Sequence, residues 1–89
     1  MPLTQHELEL ERTALDLVRR QLLPTEIPKS IWAFRGTGKP CSLCGQVIDP
    51  VEMEYELEAP VGGGAASTFR FHLRCHALWQ LEVARLVEN

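Results

Sequence analysis

Three cysteines and one histidine occur in this chain as two closely spaced pairs, and this arrangement constrains the fold more than any other feature. Two residues separate Cys41 from Cys44, and two residues separate His72 from Cys75. Each pair can hold one side of a tetrahedral metal ion, because thiolate and imidazole are ligands that zinc prefers. The sequence therefore predicts one structural Zn²⁺ per chain, with Cys41, Cys44, His72 and Cys75 as its ligands.

A second residue, His76, could take the place of Cys75 as the fourth ligand. Cys75 lies three residues after His72 and His76 lies four residues after it, so on a helix both would project to the same side as His72. We prefer Cys75, because a thiolate is the better zinc ligand and a free cysteine beside a thiolate pair would be open to oxidation. The alternative without metal is a set of small buried cysteines, but their odd number favours a metal over disulfide pairing.

The length of the chain also favours a metal. Its 89 residues form one small domain, in which a hydrophobic core alone would give marginal stability. The sequence starts without a basic segment followed by an apolar run, and it contains no stretch of about 18 apolar residues. We therefore expect a cytoplasmic protein that makes no contact with a membrane.

The first of three predicted segments, residues 1–23, is an amphipathic helix. Thr4 and Glu7 form a capping box at its start, and Pro24 ends it. Its apolar side chains cover about half of the helix surface: Leu8, Leu10, Ala14, Leu15, Leu17, Val18 and Leu22. This width predicts either complete burial in the core or a homodimer or protein partner that contacts Leu10, Ala14 and Leu17.

The second segment, residues 24–40, is a connector that is too apolar to be a free linker. Its apolar side chains should be packed: Ile31, Trp32 and Phe34. The stretch 35–39 is weakly similar to a phosphate-binding loop, but Pro40 stands where such a loop needs serine or threonine. Gly36 and Gly38 more simply allow the backbone to turn toward Cys41.

The third segment, residues 41–89, predicts a metal knuckle, a β-hairpin and a C-terminal helix. In the knuckle, Gly45 should supply a positive φ angle. Residues 51–58 alternate as a strand, with Val51, Met53, Tyr55 and Leu57 on the buried face and Glu52, Glu54, Glu56 and Glu58 toward solvent. Residues 60–67 form the tip of the hairpin and residues 68–71 return as the second strand. The helix from His72 carries two apolar stripes: His72, Cys75, Trp79, Val83 and Leu86 on one side, and Leu73, Ala77, Leu81 and Ala84 on the other. We expect the second stripe to pack on the first helix, in an α+β fold.

This order of motifs resembles a known group of metal-binding folds. A C-x2-C-G knuckle at Cys41, a hairpin, and H-x2-C at the start of a helix look like a treble-clef zinc finger. The layout is similar to the LIM half-module and to the poly(ADP-ribose) polymerase-type finger. With Trp32, Gly36 and Gly38 before Cys41 and Cys44, it also resembles short uncharacterised bacterial zinc-finger proteins. The resemblance covers about residues 32–80, and it implies the fold and four ligands but not the biological task.

Three classes of function are compared on this basis. A closed ligand set and a wide apolar helix favour a non-catalytic protein whose zinc supports an interaction surface. Nucleic-acid binding is the alternative, but the net charge of −3 disfavours it and the candidate phosphate contacts are few: Lys29, Arg35, Lys39, Arg70 and Arg74. An enzyme would need an open metal position, and the H-x-E half of the zinc deaminase motif is absent, so we expect no catalytic residues.

Overall fold

The computed structural model describes residues 4–88, with side chains as far as Leu86. The predicted ranges 1–23 and 41–89 thus extend at residues 1–3 and 89 beyond the described part. Within residues 4–88, two helices and one antiparallel three-stranded sheet make up an α+β fold, as predicted, with the strands in the order β1-β2-β3. The elements are α1 (Gln5–Arg19), β1 (Trp32–Arg35), β2 (Met53–Pro60), β3 (Ala66–His72) and α2 (Leu73–Glu88).

The capping box at the start of α1 is confirmed. The Thr4 hydroxyl oxygen accepts a hydrogen bond from the Glu7 backbone N–H at 3.1 Å, and the Glu7 carboxylate accepts one from the Thr4 N–H. The helix ends at Arg19, four residues before the predicted end. Gln21 has a φ of 59°, in the left-handed region that commonly terminates helices, so the chain leaves the helix before Pro24 is reached.

Most of the apolar arc of α1 belongs to the core of the chain itself. Leu10, Ala14 and Val18 are buried, and Leu17 packs against the core from its edge. Leu10 and Ala14, two of the residues expected to contact a second chain, are instead buried where α1 packs on α2. Leu17 is half-buried and Leu8 is exposed, so a partner that contacts these residues of α1 stays a prediction.

The connector 24–40 contains a strand that the sequence did not predict. β1 pairs antiparallel with β2, with Trp32 opposite Glu56 and Arg35 opposite Met53. Its side chains are only partly packed, since Phe34 is half-buried and Trp32 is 52% exposed. The predicted hairpin is therefore part of a three-stranded sheet, in which β2 is the central strand and β1 and β3 are the two edge strands.

The two faces of the hairpin differ from the prediction. Leu57 is buried and Tyr55 half-buried on the face toward the helices, as expected, but Val51 and Met53 are exposed. On the other face Glu54 is completely buried, so the expectation of a fully solvated row of glutamates is wrong. The reason is that the chain around Thr37 folds over this face and binds the Glu54 carboxylate.

Helix α2 is buried on two adjacent sides rather than on two opposite sides. Cys75, Trp79 and Val83 belong to the core, as predicted for the first stripe, whereas Leu86 at the end of that stripe is exposed. The stripe expected to pack on α1 is instead exposed, with Leu73 at 60% and Leu81 at 42%. Ion pairs from Arg74 to Glu7 and from Arg85 to Glu11 show that α1 lies along the neighbouring side of α2, where Leu78 and Glu82 are buried.

Candidate metal centre

The first two cysteines are held by a tight turn, which we call the knuckle (Cys41–Gly45). The Gly45 N–H donates to the Cys41 carbonyl at 3.0 Å, and the Cys41 N–H donates to the Gln46 carbonyl at 2.8 Å. Gly45 has a φ of 78°, as predicted, which a residue with a Cβ rarely adopts. The turn thus brings Cys41 and Cys44 together through local hydrogen bonds alone.

The knuckle is docked on the free edge of β3. The Ser42 N–H donates to the Arg70 carbonyl at 2.7 Å, and the Arg70 N–H donates to the Ser42 hydroxyl at 3.0 Å. Because β3 ends at His72 and α2 begins at the next residue, this docking places the knuckle beside both ligands of the second pair. Ser42, the residue inside the C-x2-C motif, is therefore the structural link between the two half-sites.

The structure brings together the four residues that the sequence predicted as ligands. The sulfur atoms of Cys41, Cys44 and Cys75 and a ring nitrogen of His72 lie within 4.8 Å of one another, and we call them the Cys/His cluster. A tetrahedral zinc ion would separate such atoms by about 3.5–3.8 Å. The contact between Cys44 Sγ and His72 Nδ1 is already 3.4 Å, so this cluster could hold a metal ion after a small contraction.

A backbone carbonyl orients the histidine of the cluster. His72 Nε2 lies 3.2 Å from the carbonyl oxygen of Val47, and Glu52 Oε1 lies 3.7 Å from the same nitrogen. With its proton on Nε2, the ring donates to Val47 and leaves a lone pair on Nδ1 toward the sulfur atoms. This is the arrangement by which metal-binding histidines are usually held in position.

The three thiols polarise one another in the absence of metal. A hydrogen bond from the Cys75 thiol lowers the pKa of Cys41 to about 4. The same contact, together with burial, raises the pKa of Cys75, and burial raises the pKa of Cys44. These contacts favour the thiolate form of Cys41 and the protonated form of Cys75, and all three thiols would have to lose their protons to bind a metal.

His76, the competing candidate for the last ligand, lies outside the cluster. Its ring stacks on Tyr55 with the centroids 4.7 Å apart, and it also contacts the rings of Phe71 and Trp79. Burial lowers the pKa of His76, which keeps the imidazole neutral among these aromatic rings. The geometry therefore favours Cys75 over His76, as the sequence analysis preferred.

The chain before the knuckle is fixed by close packing against residues 48–52. Gly36 donates to the Glu52 carbonyl and Gly38 to the Ile48 carbonyl, each at 2.9 Å. A Cβ on Gly36 would lie 2.2 Å from the Asp49 carbonyl oxygen, so only glycine fits there. Gly38 has a φ of 80°, and the two glycines therefore do serve the turn into the knuckle.

A buried carboxylate holds the residue between these glycines. Thr37 donates to Glu54 Oε1 from its N–H at 3.0 Å and from its hydroxyl at 2.8 Å. Arg70 Nε lies 3.5 Å from the other oxygen of Glu54 and 3.6 Å from Glu56. Sequence reasoning missed this network, and also the Val47 carbonyl, because alternation shows that a strand has two faces but not which loop will cover the second one.

The candidate phosphate contacts do not form one free basic surface. Arg70 is held by Glu54 and Glu56, and Arg74 forms an ion pair with Glu7 at 2.7 Å. Lys29, Arg35 and Lys39 are exposed, and the residues that the structure describes offer them no ion pair. Two of the five cations are thus already neutralised within the chain.

Comparison of the chain with known protein families, curated proteins and solved structures gives no match. Within residues 4–88, neither helix combines the length and the apolar character that crossing a membrane requires.

Proposed function

We propose that this chain is a non-catalytic zinc-binding protein in which a structural zinc ion supports a protein-interaction or regulatory surface. One observation carries the proposal: three cysteines and one histidine, contributed by the knuckle, β3 and α2, place their ligand atoms within 4.8 Å. This donor set suits zinc better than calcium or magnesium, which take oxygen ligands. The resemblance to treble-clef zinc fingers points to the same ion.

The composition of the cluster supports a structural rather than a catalytic role. Three sulfur ligands and one nitrogen ligand complete a tetrahedral shell, whereas catalytic zinc keeps one position for water or substrate. The Val47 carbonyl accepts from His72 Nε2 and orients the ring, as in a structural site. A metal ion bound by the cluster would therefore cross-link the knuckle to β3 and α2 rather than catalyse a reaction.

The experiment that tests the proposal measures metal content and fold together. Protein purified without chelator should contain one zinc per chain by elemental analysis. A strong chelator should remove the zinc and unfold the part of the chain that contains the knuckle and the β2–β3 hairpin. Cys41→Ser or Cys75→Ser should have the same effect, because structural zinc contributes on the order of 10 kcal/mol to the folding of small fingers. Metal-free protein with an unchanged circular dichroism spectrum and unchanged unfolding temperature would refute the proposal.

Nucleic-acid binding is the second candidate, and it is favoured by Lys29, Arg35 and Lys39, which are exposed and have no ion pair in the described part of the chain. A salt titration distinguishes the two functions. Phosphate contacts would make the affinity for a DNA duplex fall steeply with salt, by a slope of about −0.9 per contact in logarithmic units. Absence of binding at low salt would exclude this candidate.

A further inference from the structure

A cleft of about 840 Å³ opens directly beside the Cys/His cluster. Its walls come from the start of α1, the knuckle, the start of β2 and the first turns of α2, and Cys44, His72 and Cys75 line it. Clefts of this size commonly bind small molecules or a few side chains of a partner. A ligand in this cleft would touch the residues that hold the metal, so binding and metal content would be linked.

The surface of the cleft is largely apolar. Five apolar side chains line it: Leu10, Met53, Leu73, Ala77 and Leu78. Leu73 and Met53 are substantially exposed, and the stripe of α2 that begins with Leu73 and Ala77 continues to the exposed Leu81 one turn later. Because the first helix packs beside this stripe rather than on it, the chain leaves the stripe uncovered, and contiguous exposed apolar surface commonly marks an interaction site.

The charges around the cleft are mainly negative. Glu7 and Glu52 line it, together with Arg74, whose guanidinium lies 2.7 Å from the Glu7 carboxylate and balances it. Glu52 Oε1 accepts from the Asp49 N–H at 3.1 Å and lies 3.7 Å from His72 Nε2. Glu52 has no lysine or arginine partner among residues 4–88, and its side chain is 48% exposed. Three deprotonated cysteines around one Zn²⁺ would add a formal charge of about −1. The cleft therefore complements a ligand that is both apolar and positively charged.

We propose that this cleft binds an amphipathic segment of a partner protein, in which apolar side chains pack on Leu73 and Ala77 while a lysine or arginine pairs with Glu52. The inference rests on the proposed function, because the zinc-bound knuckle forms one wall of the cleft. It assigns the interaction surface to this cleft, rather than to the part of α1 around Leu8. An apolar groove with charges at its rim is a recurring way to bind such segments.

Fluorescence anisotropy of the zinc-loaded protein tests the inference with a defined probe. The probe is a labelled peptide of about ten residues that alternates leucine pairs with lysine pairs. Two control peptides replace either every lysine by glutamate or every leucine by serine. The matched protein variants are Leu73→Glu, in the cleft, and Leu22→Glu, at an exposed leucine outside it.

The expected result is binding of the basic amphipathic peptide and of neither control, weakened at least about tenfold by Leu73→Glu and unchanged by Leu22→Glu. Glu52→Gln should weaken binding less and reduce its dependence on salt. Zinc content is measured for each variant, so that loss of the metal is distinguished from loss of the cleft.

Three outcomes would overturn the inference while the proposed function stands. One is no binding up to about 1 mM peptide by protein that carries its full zinc content. Another is binding that Leu73→Glu leaves unchanged. The third is a dimer that Leu73→Glu converts to a monomer, since the cleft would then be occupied by a second copy of the chain. Absence of zinc from folded protein would instead refute the proposed function itself.

Discussion

Replacement of Glu54 by alanine should destabilise the protein far more than the same change at another glutamate of β2. Glu54 is 0% exposed, and its carboxylate accepts two hydrogen bonds from Thr37 and lies 3.5 Å from Arg70 Nε. Hydrogen bonds to a charged group contribute about 1.5–3 kcal/mol each, and breaking a buried ion pair costs about 3–5 kcal/mol. Arg70 keeps Glu56 at 3.6 Å and is partly exposed, so it is not left without a partner. We therefore expect a loss of about 3 kcal/mol, at the lower end of that range.

The assay is urea unfolding of the zinc-loaded protein, followed by tryptophan fluorescence. Trp79 is fully buried and stacks on Phe71 with the ring centroids 5.3 Å apart, so its emission should report loss of the core. Glu58→Ala is the matched control, because Glu58 lies on the same strand and is exposed. It should change the free energy of unfolding by no more than about 0.5 kcal/mol.

Glu54→Gln should give an intermediate loss of about 1–2 kcal/mol, since an amide oxygen can still accept from Thr37 but the charge is gone. Equal free energies of unfolding for Glu54→Ala and Glu58→Ala would refute the reasoning. Such a result would mean that the interactions of Glu54 contribute nothing beyond those of a solvated strand residue.

Three further predictions concern other parts of the fold. Gly36→Ala should cost about 2–3 kcal/mol in thermal unfolding, because its Cβ would meet backbone oxygen atoms, whereas Gly64→Ala, with its nearest neighbour at 3.4 Å, should be almost neutral. His76→Ala should keep its zinc and lose about 1 kcal/mol of aromatic packing, whereas Cys75→Ala should lose the zinc. If elemental analysis gives the reverse pattern, His76 rather than Cys75 is the fourth ligand. If α1 joins a second copy of the chain, Leu8→Glu should convert a dimer to a monomer in sedimentation, and a monomeric parent protein at high concentration would exclude that contact.

The parts of the fold that depend on local chemistry could be predicted from the sequence. The capping box at Thr4 and the left-handed Gly45 each follow from residues within one turn of the chain. The approach of Cys41 to Cys75 was predicted by a different argument, because a shared metal requires the two half-motifs on either side of the hairpin to meet. In each of these cases, few other structures are compatible with the residue types at those positions.

The errors arose where a tertiary contact decides the outcome. Helical periodicity identified the Leu73 stripe as apolar, but it did not specify that α1 would lie on the adjacent side of α2, along Leu78. Alternation placed Glu54 on the second face of the strand, and the covering of that face by Thr37 depends on a loop seventeen residues away. β1 was missed because Trp32–Arg35 is a strand of 4 residues, too short for a period of two to be distinguished.

The positions of the four ligands along the chain affect the order in which the protein folds. Cys41 and Cys44 are neighbours in one turn, and His72 and Cys75 are neighbours where β3 meets α2, so each pair can begin to capture an ion while the sheet is still unformed. Joining the pairs closes a loop of roughly 30 residues, and in an unfolded chain a cross-link of that length removes about 3–4 kcal/mol of conformational entropy. A metal ion that reaches the chain early would thus link the two pairs before the sheet forms. If the metal is zinc, as proposed, refolding should be faster when zinc is present from the start than when it is added after collapse.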